Sequence, residues 1–377
     1  MPLLERSIVS QRLEFCRLAR APGANVSELC RRLGLGRTAA YKWLKRLDAE
    51  GEAGLADRSR RPLGSPRRTA DAVEAMVLAV RREHPVWGGR KIHWVLKAQG
   101  DRAAPSASTI TAILRRHGLL DGPGAGESRD WTRFEHAAPN DLWQMDFKGH
   151  FAMTQGRCHP LTVLDDHSRY NLELGACANE QGETVKARLE RLFERYGLPR
   201  RLLADNGSPW GTTGSGEPHT WLTVWLFDLG VGIAHGRPYH PQTQGKEERF
   251  HRTLLAEVVN GRSFANLQEA QTAFDAWREV YNAKRPHEGI GMAVPASRYV
   301  PSRRSMPTVI LPPEYEPQVP VRTVHKGGWL TFQGRAFNCS KAFAGRPVAL
   351  RPTNIDGVFD VCYRTHCLTQ IDLRQTA

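Results

Sequence analysis

Acidic charge is what this sequence has in short supply: 39 Asp and Glu stand against 53 Lys and Arg, a formal net charge of +14. The shortfall is steepest at the start, where residues 1–130 hold 24 basic against 14 acidic side chains. An excess of that size points to a polyanionic partner. Cysteine occurs without any useful pattern. The seven (Cys16, Cys30, Cys158, Cys177, Cys339, Cys362 and Cys367) are odd in number, with no CxxC pair and no zinc-finger spacing to histidine. This argues against a disulfide framework or a zinc module and for reduced, structural thiols. No apolar run approaches the ~20 residues that cross a bilayer. The opening MPLLERSIVSQRLEF also lacks a signal-peptide apolar core, so a cytoplasmic location is expected. A hydrophobic content of 40% with 24% charged residues excludes a wholly disordered chain. At 377 residues there is room for roughly two to four domains, each with its own core.

Helical periodicity comes first along the chain. Helices are predicted over 4–20, 26–33 and 37–50, with the turn LGLGR between the last two, a helix-turn-helix pattern over residues 1–51. Leu29, Leu33, Leu35, Trp43, Leu44 and Leu47 would face inward. Arg37, Thr38, Tyr41, Lys42 and Lys45 would line the outer face, with side chains suited to phosphate and base-edge contacts. Residues 52–69, rich in Pro, Gly, Ser and Arg, read as a basic linker. A second helix-turn-helix unit is predicted over 70–120. Ser106 or Ser108 would cap its third helix, and Ser106, Ser108, Thr109, Arg115 and Arg116 are its candidate DNA contacts. A Gly-rich, acidic boundary follows over 121–139.

Alternation then replaces helical periodicity. DLWQMDFKG sets Trp143, Met145 and Phe147 on one face and Gln144 and Asp146 on the other. The element order β-β-β-α-β-α-β over 140–300 implies a mixed five-stranded sheet with helices on both faces. Residues 301–320, with six prolines, read as a linker, and 321–377 as a small all-β barrel. The fold class is thus multidomain: an all-α helix-turn-helix region, an α/β core and an all-β end.

Two aspartates are candidates for chemistry. Asp146 lies on a strand, and Asp205 ends LLAD ahead of an NG turn, where sites of open α/β sheets gather. Single aspartates at strand ends are more often caps or turn formers. Asp165, Asp166 and His167 look like a metal cluster, but beside Ser168 at a hairpin they read better as turn chemistry. A third carboxylate comes from HPQTQGKEERFHRTL, where Glu247 and Glu248 are neighbours about 100° apart on a helix. Phasing puts Glu247 in the stripe of Phe250, Leu254 and Val258, and Glu248 with His251, Arg252 and Leu255. Phasing alone does not choose between them.

The segments WQMDFKG, LLADNGSPW, GRPYHPQTQGKEERFHRTL and YNAKRPHEGIGMAVPASRY, in that order, resemble the catalytic core of integrase-type transposases of bacterial insertion sequences. These are relatives of retroviral integrases with a ribonuclease-H-like fold. The resemblance implies a catalytic triad of Asp146, Asp205 and Glu248, the glutamate directly before RF, and leaves Glu247 as a helix-start charge. The 42 residues between Asp205 and Glu248 exceed the family's usual spacing, and GTTGSGEPH reads as the insertion. The implied activity is DNA cleavage and strand transfer with two Mg²⁺ or Mn²⁺ ions per site, held by the three carboxylates. Around them, Asn206 and Gly207 would aim Asp205. His240, Gln242, Gln244, Lys246, Arg249 and His251 would hold phosphate. Double-stranded DNA and a homodimer or larger assembly are the implied partners. A catalytically silent DNA-binding regulator and a structure-selective ribonuclease-H-like nuclease are the competing readings.

Overall fold

The computed structural model describes residues 7–60, 68–100, 104–120, 135–205, 207–211, 219–235 and 245–374. The chain divides into two compact units, Met1–Arg68 and Thr69–Ala377.

In the first unit three helices, α1 (Ile8–Ala19), α2 (Val26–Arg32) and α3 (Arg37–Glu50), enclose a small core of Phe15, Cys16, Cys30, Ala40 and Leu55. Side-chain oxygens of Ser7 and Asn25 accept from the first-turn amides of α1 and α2, which fixes where each begins. Gly34 takes φ +65 between α2 and α3, a left-handed conformation that closes the turn. Two details depart from expectation. Leu33 is half exposed rather than inward. The linker also begins later than residue 52, because Leu55 is buried and Arg12 donates to its carbonyl at 2.7 Å.

The second unit opens with α4 (Asp71–Glu83), α5 (Gly89–Ala98) and α6 (Ala107–Arg116) around Val77, Trp87, Ile92, Leu96, Ile110, Ile113 and Leu114. A Cβ on Gly89 would meet Ala107 O at 2.3 Å, so only glycine lets α5 and α6 approach this closely.

The central sheet follows: β1 (Leu142–Phe147), β2 (Phe151–Ala152), β3 (Arg157–Asp165), β4 (Asn171–Cys177), β5 (Arg201–Ala204) and β6 (Gly232–His235). Its order is β4-β3-β1-β5-β6, with the two-residue β2 also on β3. The β4-β3-β1 meander is antiparallel, whereas β1, β5 and β6 run parallel. Alternation along β1 works as expected. Trp143 and Met145 enter the core beneath α7 (Gly182–Tyr196) and α8 (Trp221–Asp228). The opposite face, with Leu164 and Leu174, is covered by α9 (Gly245–Leu254) and α10 (Leu267–Glu279) through Phe250, Leu254, Phe274 and Trp277.

The C-terminal region is all-β. Strands β7 (Val321–Thr323), β10 (Pro347–Pro352), β11 (Val358–Tyr363) and β12 (His366–Asp372) form one antiparallel sheet, and β8 (Trp329–Phe332) and β9 (Arg335–Asn338) a separate hairpin. The two share one core, so the all-β end expected as a small barrel is, among the described residues, built of two sheets packed together. Val224 and Phe227 of α8 complete that core. Residues 301–320 are stitched down instead of hanging free. Ser302 N donates to Tyr196 O, Arg304 caps the carbonyls of Pro199 and Gly230, and Leu350 N donates to Pro320 O.

Candidate active site

Asp146 and Asp205 meet because β1 and β5 are parallel neighbours. Their register pairs Trp143 with Leu202 and Gln144 with Leu203, and the same offset two residues further on sets Asp146 beside Asp205 at the carboxyl ends of both strands. Burial, then the charge of Asp205, pushes the Asp146 carboxyl up to about 7. Asp205 is raised as well, chiefly by burial, while the Gly207 amide opposes the rise by donating to its Oδ1 at 3.1 Å. A Cβ at Gly207 would press on Asp205 Oδ2 at 3.0 Å, so this glycine leaves room for the carboxylate it aims.

A further carboxylate at this end of the sheet escaped the sequence reading. Glu180 follows β4 and adds negative charge to both aspartates. His159 Nδ1 lies 2.8 Å from its Oε1, and the His150 ring stands beside that of His159. Nothing in the motif pattern marks Glu180. It arrives through the antiparallel β3–β4 register, which pairs His159 with Cys177.

The two glutamates of α9 sit opposite to expectation. Glu248 points to solvent, with 69% of its side chain exposed, and pairs with Arg252 one turn on at 2.9 Å. Glu247, expected as an exposed helix-start charge, is 1% exposed and turned towards the sheet. Its Oε2 accepts from Thr162 Oγ1 at 2.9 Å, and its buried Oε1 has no hydrogen-bond partner. Burial and the charge of Asp146 raise its carboxyl well above the ordinary glutamate range. The physical reason is the stripe noted in the sequence: Phe250, Leu254 and Val258 are the buried face of this helix, and Glu247 shares it.

Two other expected phosphate donors have different partners. His251 is buried, with Nε2 at 2.9 Å from Thr162 Oγ1 and Nδ1 at 3.9 Å from Asp146 Oδ2. Burial, then Lys148, holds its pKa down at about 3, so the ring is neutral. Lys246 forms an ion pair with Asp166, which is fully buried and also accepts from Gln144 Nε2 at 2.6 Å. Arg249 is exposed, as a DNA contact would require. Asn206, His240, Gln242 and Gln244 lie outside the described residues. Asp165 does perform turn chemistry, accepting from Asn140 N and from the amide and hydroxyl of Ser168.

On the helical modules, Arg37, Thr38, Tyr41, Lys42 and Lys45 are all exposed along α3. Ser106 caps α6 through Thr109 N at 3.2 Å and also bonds the hydroxyls of Ser108 and Thr109. Arg115 is exposed, whereas Arg116 pairs with the buried Glu74 and so braces α6 against α4.

The site fits a divalent cation. Its donors, Asp146 and Asp205, offer hard carboxylate oxygens side by side, and the charge of Asp205 adds to burial in raising Asp146, so a cation there would relieve both.

Comparison with known proteins gives matches along most of the chain. Two families described as Integrase core domain match residues 136–241 and 229–295. The family described as IS481 family transposase, C-terminal domain, matches 319–377. Helix-turn-helix domain and Homeodomain-like domain families match 11–62 and 39–114. Among relatives, the Insertion element IS407 uncharacterized 31.7 kDa protein of Burkholderia multivorans is 23% identical over 60% of this chain and 80% of its own length. The Insertion element IS476 uncharacterized 39.2 kDa protein of Xanthomonas euvesicatoria is 24% identical over 65% of this chain and 69% of its own. Among solved structures, the catalytic core domain of BIV integrase is 26% identical, covering 42% of this chain and 92% of that one, with a TM-score of 0.31.

Proposed function

We propose, from the integrase core domain matches over residues 136–241 and 229–295 and the likeness to insertion-element proteins, that this chain is an integrase-core transposase. On this reading it binds the ends of a mobile DNA element and catalyses their cleavage and strand transfer. The observation that carries the proposal is the pairing of Asp146 and Asp205 at the carboxyl ends of two parallel strands, in a setting that raises both carboxyls.

Asp146, Asp205 and Glu248 would hold Mg²⁺ or Mn²⁺, which when bound would supply Lewis-acid activation of a water or a DNA 3′-hydroxyl and charge stabilisation of the leaving oxygen. Glu248 is preferred to Glu247 as third ligand on two grounds. It is the glutamate directly before Arg249-Phe250 in the family motif, and it lies on the open side of α9, where a phosphate can approach. Its exposed pair with Arg252 is of a kind worth about 0–1 kcal/mol and yields readily to a stronger partner. Glu247 is sealed between helix and sheet. Gly207 keeps Asp205 aimed at the site, and the exposed Arg249 and exposed row on α3 would be the side chains that contact DNA phosphates and bases. Assembly of two or more copies on double-stranded DNA belongs to the same proposal.

Incubation with Mg²⁺ and DNA carrying the element's ends should give joined products. Asp146→Asn should abolish joining while leaving DNA binding intact, and joining by that variant would overturn the assignment. Cut but unjoined products would favour a nuclease, and a footprint without cutting a regulator. Glu248→Gln should lose activity and Glu247→Gln keep most of it; the reverse result moves the ligand role to Glu247.

A further inference from the structure

Thr162 is the cross-strand partner of Asp146, so its hydroxyl lies on the same face of the sheet, under α9. That hydroxyl has three neighbours: the Asp146 carbonyl oxygen at 3.0 Å, Glu247 Oε2 at 2.9 Å and His251 Nε2 at 2.9 Å. It owns one proton and two acceptor positions. The carbonyl can only accept and claims the hydroxyl's single proton, while the Glu247 carboxyl, raised well above the ordinary range, can donate its own proton to the hydroxyl. The ring must therefore supply its own proton from Nε2, with the hydroxyl accepting. A neutral imidazole protonated on Nε2 carries its lone pair on Nδ1. That nitrogen makes no hydrogen bond among the described residues and lies 3.9 Å from Asp146 Oδ2.

We infer that His251 is a nitrogen ligand for the cation held by Asp146, its Nδ1 lone pair turned to the site by Thr162 and Glu247. This rests on the metal-site reading given above and extends it. Two ligands each about 2.1 Å from one octahedral ion stand about 3.0 Å apart when adjacent and about 4.2 Å apart when opposite. A separation of 3.9 Å falls within that span. The alternative role, donating to a DNA phosphate, requires a proton on the nitrogen that faces the site and an exposed ring. The tautomer excludes the first and the 7% exposure of His251 excludes the second. Glu247 gains a function that its burial otherwise lacks: with Thr162 it orients a ring whose Nε2 is 3.6 Å from its own Oε2. Such a partner behind a ligating histidine is a general feature of metal sites. A nitrogen in the set shifts preference from Mg²⁺ towards softer divalent ions.

Mn²⁺ added to the metal-free, full-length protein and followed by electron spin echo envelope modulation reads this directly. The native protein should show ¹⁴N modulation from a bound imidazole. His251→Gln should lose it and bind Mn²⁺ about tenfold or more weakly, the scale of disturbing a ligand or its support. Modulation that persists in the variant, or bound Mn²⁺ without nitrogen modulation in the native protein, overturns the inference. If circular dichroism shows that the variant does not fold, native protein labelled with ¹⁵N-histidine replaces it: an unchanged spectrum overturns the inference and an altered one supports it. Asp146→Asn separates the two levels. Native-like Mn²⁺ binding by that variant would sink the metal site itself, whereas weakened binding with no nitrogen signal in the native protein would sink only the role of His251.

Discussion

Asp146 shows how one residue's environment sets a measurable property. In the folded, metal-free chain its carboxyl is raised from 3.8 to about 7 by burial and by Asp205. Below the ordinary aspartate value, folded and unfolded chains both hold the proton, and nothing is lost. As pH rises past that value the unfolded chain ionises first, so the folded state loses stability between about 4 and about 7 and then levels off. The metal-free protein should therefore melt at a lower temperature at pH 7.5 than at pH 5. Asp146→Asn should flatten that slope, and so should added Mn²⁺. An unchanged slope in the variant would show that Asp146 does not carry it. Glu247 and Glu248 make the complementary point: neighbours in sequence differ from 1% exposed to a side chain 69% exposed because a helix turns about 100° between them.

Helix α9 is the element on which the site depends, and two polar anchors hold its first turns to the sheet. One is Glu247 and His251 on Thr162; the other is Lys246 on Asp166, with Gln144 behind. Removing the cation from a buried pair leaves the remaining charge uncompensated, at a cost of roughly 3 kcal/mol. Lys246→Met is therefore expected to lower the melting temperature and slow strand transfer, while leaving DNA affinity and its salt dependence nearly unchanged. A shallower salt slope with unchanged stability would return Lys246 to the phosphate contacts. The double variant with Asp166→Asn should recover part of the lost stability, because the orphaned charge is gone.

At the scale of the whole molecule, the C-terminal sheets are docked on the core through one residue's charge as well as through apolar contact. Asp228, at the end of α8, accepts from Tyr363 Oη at 2.6 Å and from Arg364 Nε at 3.0 Å, with Arg346 at 3.4 Å. Phe227 stacks on His366 beside it. Asp228→Ala strips three partners at once, so limited proteolysis within 301–320 should become several-fold faster while the isolated fragments stay folded. Cleavage at the native rate would mean that the stitched segment, not Asp228, holds the region in place. The composition made 301–320 read as a free spacer. Prolines do stop regular structure there, but the backbone groups of Ser302, Arg304 and Pro320 found partners that no local pattern records.

The sequence by itself determined the periodicities and the order of the motifs. Alternation along β1 separated Asp146 from Trp143 and Met145, and the LGLGR turn divided the second helix from the third. The segment order carried the integrase-core likeness, and the basic excess pointed to DNA. These are local properties, fixed by a residue and its near neighbours in the chain. Only the tertiary structure decided what each side chain meets. It brought Asp205 beside Asp146, added Glu180 and Thr162, buried Glu247 and turned His251 inward, and bound Lys246 and Arg116 to buried carboxylates. The physical reason is that such contacts join residues tens of positions apart, and burial changes what a charge costs. A pattern of residue types shows which face a side chain takes, while the partner across that face, and hence its proton or its metal, depends on strand register and helix packing.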